Sequence, residues 1–154
     1  MSSLATLHFL QGGLCIWCHR DAHLVKRARK RIEGSSTSSI EKSAKLQRFA
    51  TRDHIVPKSV APHLSDNLAM ACYSCNHRKS DYIIPRWLME QPDELLRLFR
   101  AGSCTHGTIR DTFLTPDHPD VPNHIITRGE LLEVTGWTTF FPLLSLNSKV
   151  TNQT

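Results

Sequence analysis

No stretch of the 154 residues approaches the roughly 20 consecutive apolar side chains that a membrane-spanning helix needs. No lysine or arginine precedes Arg20, so the start of the chain lacks the basic segment of a secretory signal. The expected setting is the cytoplasm, in a bacterium or its phage. No internal repeat is visible, which excludes a solenoid or propeller. Aromatic residues are sparse at 7%. Apolar residues at 40% and charged residues at 21% are ordinary for globular proteins, and they exclude a wholly disordered or collagen-like chain. The length predicts one domain with at most a small appendage, large enough to bury a core.

What is present is unevenly placed. Residues 1–100 hold 16 Lys and Arg against 9 Asp and Glu, whereas residues 101–154 hold 3 against 5. The first two thirds therefore carry all the excess positive charge, and a basic region suits an acidic partner, most often nucleic acid. Four of the five cysteines form two Cys-x-x-Cys pairs, Cys15/Cys18 and Cys72/Cys75. Two intervening residues let both sulfurs reach one ion from a tight turn, and four thiolates satisfy tetrahedral zinc. Cys15, Cys18, Cys72 and Cys75 are thus the expected ligands of a structural Zn²⁺, clipping residues 19–71 at their base. With all four positions taken, this ion has no open site for catalysis. Cys104 is left over and reads as a small buried apolar side chain.

Residues 1–14 are expected to be a short strand or irregular. Asp21 is expected to cap a basic amphipathic helix ending near Glu33, with Lys26, Arg27, Arg29, Lys30 and Arg31 opposite its apolar face. Ser38 and Glu41 have capping-box spacing for a second helix reaching Phe49. Arg52–Val56 and Asn67–Tyr73 read as strands. A helix is expected from about Cys75–Asn76 to before Pro85, and another over Asp93–Ala101, stopped by Gly102. Pro116, Pro119 and Pro122 mark a loop. Thr127 and Glu130 form a second capping box, for a helix ending near Gly136. Residues 127–141 are weakly similar to the first half of a helix-turn-helix, with Pro142 interrupting what would be its second helix.

Between and around the cysteine pairs lie residues suited to phosphate chemistry. Asp53-His54 stands at a strand end, and Asn76 stands at a helix start. A carboxylate and an amide oxygen are hard ligands that suit Mg²⁺ or Mn²⁺ and leave room for phosphate and water. A neutral histidine beside them would deprotonate a water. Arg78 and Lys79 add positive charge for a bound phosphate. His77 is about 100° round the helix from Asn76, so it suits a phosphate contact better than the same metal. The histidines at 8, 19, 23, 63, 106, 118 and 124 show no ligand pattern and read as packing or surface. Trp17, between two zinc cysteines, reads as packing for the knuckle.

These motifs (Cys-x-x-Cys, Asp53-His54-Ile55-Val56-Pro57, Asp66-Asn67-Leu68 and Cys72-x-x-Cys75-Asn76-x-x-Lys79) resemble, in order, those of the HNH endonucleases over about residues 13–82. The resemblance implies an α+β fold with a ββα-metal core braced by the four-cysteine zinc site, plus N-terminal helices and a C-terminal extension. It implies His54 as general base, Asp53 and Asn76 as ligands of a catalytic Mg²⁺ or Mn²⁺, and Asn67 as a brace that keeps the base oriented. It also implies one-metal phosphodiester hydrolysis leaving 5′-phosphate and 3′-hydroxyl ends. Asn76 makes this the His-Asn-Asn variant. Many relatives have glycines after Pro57, where this chain has Lys58-Ser59-Val60-Ala61-Pro62-His63.

The reading is therefore a metal-dependent DNA endonuclease acting on double-stranded DNA, with no membrane partner. Residues 1–101 form its nuclease domain, with a helical insertion at 21–50, and residues 102–154 form an extension of unassigned role. The basic helix, His77, Arg78 and Lys79 are candidate nucleic-acid contacts. One such core makes one incision, so cutting both strands would need a homodimer, a second visit or a partner. Two rivals stand beside this reading. One is a zinc-braced DNA-binding module without catalysis; the other is a nuclease toxin held by an acidic immunity protein.

Overall fold

The computed structural model of the chain describes residues 3–24, 47–101 and 111–152. Helix α1 (Leu4–Leu10) opens the fold, where a strand or irregular segment was expected. The Ser3 hydroxyl accepts a hydrogen bond from the Thr6 amide, capping the first turn. Leu7 is buried, with Leu4 and Leu10 partly buried against the core. That three-residue spacing is the helical signal. Gly12 and Gly13 follow with φ of 62° and 77°, a region open to glycine at little cost. A Cβ on Gly13 would also meet the His8 ring at 3.2 Å.

The chain then doubles back through the first cysteine pair. Leu14 bridges Asp21, the Cys15 amide donates to the Arg20 carbonyl, and the Ala22 amide donates to the Gly13 carbonyl. Asp21 therefore closes this knuckle and caps no helix, and residues 21–24 are not helical. His23 instead bridges Phe49, which lies just before the first strand and not in a helix. The expected helix bodies carrying Lys26–Arg31 and Ser38–Leu46 lie outside the described residues, as do Gly102, Cys104 and His106.

Strands β1 (Ala50–His54) and β2 (Leu68–Cys72) pair antiparallel, from Ala50 opposite Cys72 to His54 opposite Leu68. The first strand begins and ends two residues earlier than its expected span. Ile55 and Val56 leave the ladder because their amides bond to Asn67, the latter to its side chain. A lone two-stranded sheet is marginal in water. Here the outer edge of β2 is covered: the Gln11 side chain bonds both the amide and carbonyl of Met70, and the Ile16 amide bonds the same carbonyl.

Helix α2 (Tyr73–Lys79) follows β2 without a loop, two residues before the expected start. Short α3 (Arg86–Met89) and α4 (Pro92–Arg100) come next. Then Val121–His124 forms a 3-10 turn, leading to α5 (Arg128–Thr135) and α6 (Pro142–Asn152). The capping box Thr127/Glu130 and the left-handed Gly136 bound α5 as expected. Pro142, expected to interrupt a helix, is instead the first residue of α6, where a missing N–H costs nothing. Phe113, Leu131, Trp137, Phe141 and Leu144 join the same buried cluster as Trp17 and the four cysteines. Among the described residues, no helix is long and apolar enough to cross a membrane.

The cap of α5 gives a simple stability test. Thr127→Ala should destabilise the protein by about 1 kcal/mol, and Thr127→Ser should retain most of that stability. Thermal unfolding of the two variants checks it.

Candidate active site and metal centre

The two Cys-x-x-Cys pairs converge, as their spacing suggested. The Sγ atoms of Cys15, Cys18, Cys72 and Cys75 all lie within 4.8 Å of one another, and all four residues are buried. Tetrahedral zinc with Zn–S of about 2.3 Å spaces its sulfurs about 3.8 Å apart, and Cys18 and Cys72 Sγ stand 3.9 Å apart. The donor set and its spacing fit zinc. Without a cation, four such thiols impose opposed demands. Burial pushes Cys15 above the usual thiol range, and neighbouring thiols, Cys15 first, push Cys75 above it. Hydrogen bonds from the neighbours, again led by Cys15, hold Cys18 and Cys72 below it. A divalent cation would remove the conflict, since a coordinating thiol gives up its proton.

Cations on neighbouring elements tie this centre to α4. Arg78 donates to the carbonyls of Phe99 and Ala101 and lies 3.6 Å from Cys75 Sγ. Arg100 donates to the Cys18 carbonyl at 2.8 Å. His19, at a left-handed φ of 59°, packs against Trp137, Phe140 and Phe141. Its Nε2 is buried without a partner among the described residues, and burial, helped by Arg100, lowers its pKa to about 4. It is a neutral packing histidine that joins the knuckle to the C-terminal segment.

One wall of the knuckle is also the floor of the second site. Trp17 is fully buried and stacks on Phe99, with ring centroids 5.3 Å apart. Its Nε1 donates to Asp53 Oδ2 at 2.7 Å. Lys79 Nζ donates to Asp53 Oδ1 at 3.3 Å and to the His54 carbonyl at 2.7 Å, and it lies over the Trp17 ring. Lys79 is only 1% exposed. It is therefore an internal tie, not the phosphate contact expected of it. Arg78 is likewise committed to backbone carbonyls. Of the expected contacts on α2, His77 is the exposed one, stacked on Tyr73.

His54 ends β1 and is partly exposed. Its pKa is lowered, first by burial and then by Lys58, Lys79 and Arg52, against an upward pull from Asp53. Arg52 and Lys58 are exposed beside it, and nothing in the sequence pattern gave either a role. Asn67 is buried; its Oδ1 accepts from the Val56 amide at 2.8 Å and its Nδ2 donates to the Val56 carbonyl at 2.7 Å. Asn76 is half-buried against β1. Its Nδ2 donates to Thr51 Oγ1 at 3.0 Å and faces the Arg52 carbonyl at 3.4 Å. The Oδ1 end of that amide is the one these bonds leave to a cation. Each Asp53 oxygen takes one of the bonds above, and an ionised carboxylate has about four acceptor positions. Asp53 is buried, with Trp17 and Lys79 on its two oxygens; a carboxylate and an amide oxygen are the donor types that a hard divalent ion takes.

The metal centre yields a direct expectation. The protein should carry about one zinc per chain through dialysis into Mg²⁺ buffer. Structural zinc is worth roughly 10–16 kcal/mol in finger peptides, so Cys72→Ser should abolish cooperative folding. Zinc content and circular dichroism together check this; a folded, zinc-free Cys72→Ser protein would refute it.

The model of the HNH endonuclease family matches residues 38–86. No curated protein matches the chain. The match contains β1, β2 and α2 with Cys72 and Cys75, while Cys15, Cys18 and Trp17 reach the site from outside it. A two-stranded antiparallel sheet followed directly by a helix, a four-cysteine cluster at their junction and this match agree: the chain carries an HNH endonuclease domain at residues 38–86.

Proposed function

We propose that the protein is a metal-dependent endonuclease that hydrolyses phosphodiester bonds in double-stranded DNA. The HNH domain suggests a nuclease. The observation that carries the finer reading is His54: a partly exposed imidazole held toward its neutral form, beside a carboxylate and flanked by cations. A DNA-binding module without catalysis would not need His54, Asp53 and Asn76 together at one strand end and helix start.

In this reading His54 takes a proton from a water aligned with the phosphorus. Arg52 and Lys58 hold the phosphate backbone, contacts that give affinity without sequence information. Asp53 and Asn76 would hold Mg²⁺ or Mn²⁺, which would supply a Lewis acid for the phosphate and the departing 3′ oxygen. Trp17 and Lys79 fix the Asp53 carboxylate, and Lys79 also fixes the backbone of His54. Asn67 fixes the backbone two residues after the base. The products would be 5′-phosphate and 3′-hydroxyl ends. The zinc centre has a scaffolding role here, since four cysteines complete its coordination.

Two tests follow. His54→Ala should remain folded, zinc-loaded and able to bind DNA while losing about 10²–10⁴-fold in cleavage rate. The imidazole works only when neutral, so wild-type cleavage should rise with pH through a midpoint below the usual histidine value of about 6.5. A plasmid-nicking assay across pH checks both, and a fully active His54→Ala protein would refute the mechanism. Second, Asn76→Ala should lose cleavage supported by Mg²⁺ or Mn²⁺, whereas His77→Ala should retain most of it. Titrating the metal against cleavage rate for both variants separates the ligand from its neighbour.

A further inference from the structure

The segment after residue 110 reaches the proposed base through a buried polar clamp. Asp66 adopts a left-handed φ of 55°, which aspartate tolerates better than most residues. Its side chain is fully buried and lies 3.1 Å from the Arg128 guanidinium, itself 3% exposed. Asp66 Oδ2 accepts from the Gly129 amide at 3.0 Å, and Oδ1 accepts from Ser148 Oγ at 3.2 Å. The Asp66 carbonyl accepts from the Arg128 amide. Arg128 also donates to Ser148 Oγ at 2.7 Å, Asn147 Oδ1 at 2.6 Å and the Leu68 carbonyl at 2.9 Å.

Asp66 and Leu68 flank Asn67, so one guanidinium holds the chain on both sides of it. Asn67 in turn holds Ile55 through its carbonyl at 2.8 Å and Val56 through both ends of its side chain. Those two residues directly follow His54. We propose that Arg128 and Asp66 are positioning residues for His54: they lock Asn67, and through it the backbone on which the imidazole is mounted. The C-terminal segment is then a working part of the active site. This inference rests on the nuclease reading above, because it assigns His54 a reaction to be positioned for. Planar, bidentate donors suit such a role, and a lysine would not span both sides of Asn67.

The experiment compares wild-type, Arg128→Lys and Asp66→Asn proteins, each checked for fold and zinc content. Misplacement far from the chemistry costs up to about 100-fold. Both variants should lose roughly 10–100-fold in kcat on duplex DNA, with KM little changed. Amide hydrogen exchange at Ile55 and Val56 should quicken more than at Leu98, which lies on α4 away from the clamp. If a variant fails to fold, Ser148→Ala removes one hydroxyl from the network and carries the same test, with a loss of a few-fold. Wild-type kcat with unchanged exchange at Ile55 and Val56 overturns the proposal. A wild-type protein that never cuts DNA overturns the nuclease reading instead, and the exchange data still decide whether the clamp holds this loop.

Discussion

Four buried sulfurs within 4.8 Å of one another set the geometry on which everything else hangs. Two come from a knuckle near the start of the chain. The other two come from the last residue of β2 and the first turn of α2. Joining them fixes where the strand ends and where the helix begins. It also brings Trp17 beneath β1, where its indole meets Asp53. A two-stranded sheet and a seven-residue helix would not stay folded alone. Metal binding to such a cluster would itself be folding free energy, enough to make so little secondary structure rigid.

Around that clip the molecule is held by buried polar ties. Lys79 joins Asp53 to the backbone of His54, Asn67 joins the two ends of the strand connection, and Asp66 with Arg128 joins that connection to α5 and α6. Buried networks of this kind rigidify when every member is satisfied and are costly when one partner is lost. They also explain why β1 ends at His54: Val56 finds its partners in an asparagine side chain and so leaves the ladder.

The convergence of the four cysteines was legible in the sequence because ligand number fixes it, and the places of His54 at a strand end and Asn76 on the following helix were legible because their signals are local. The capping box at Thr127 was legible for the same reason. The N-terminal helix was missed although Ser3 and the Leu4/Leu7/Leu10 spacing announced it. Asp21 resembled a helix cap, yet the sulfur geometry forces the chain to double back there. Lys79 and Arg78 read as phosphate contacts because a buried lysine cannot be told from an exposed one by composition; only the packing of α2 on Trp17 and α4 reveals it. Arg128 carried no signal at all, since its partners lie about 20 and 60 residues away. Its role exists only in three dimensions.

The central claim is that a zinc-clipped scaffold presents an oxygen-ligand site that cuts DNA. The most direct measurement gives the zinc-loaded protein a defined duplex with Mg²⁺, maps both strands, and asks whether DNA ligase reseals the breaks. The account predicts Mg²⁺-dependent incisions that ligase closes, as 5′-phosphate and 3′-hydroxyl ends require. A duplex that is bound yet stays intact with both Mg²⁺ and Mn²⁺ would contradict it.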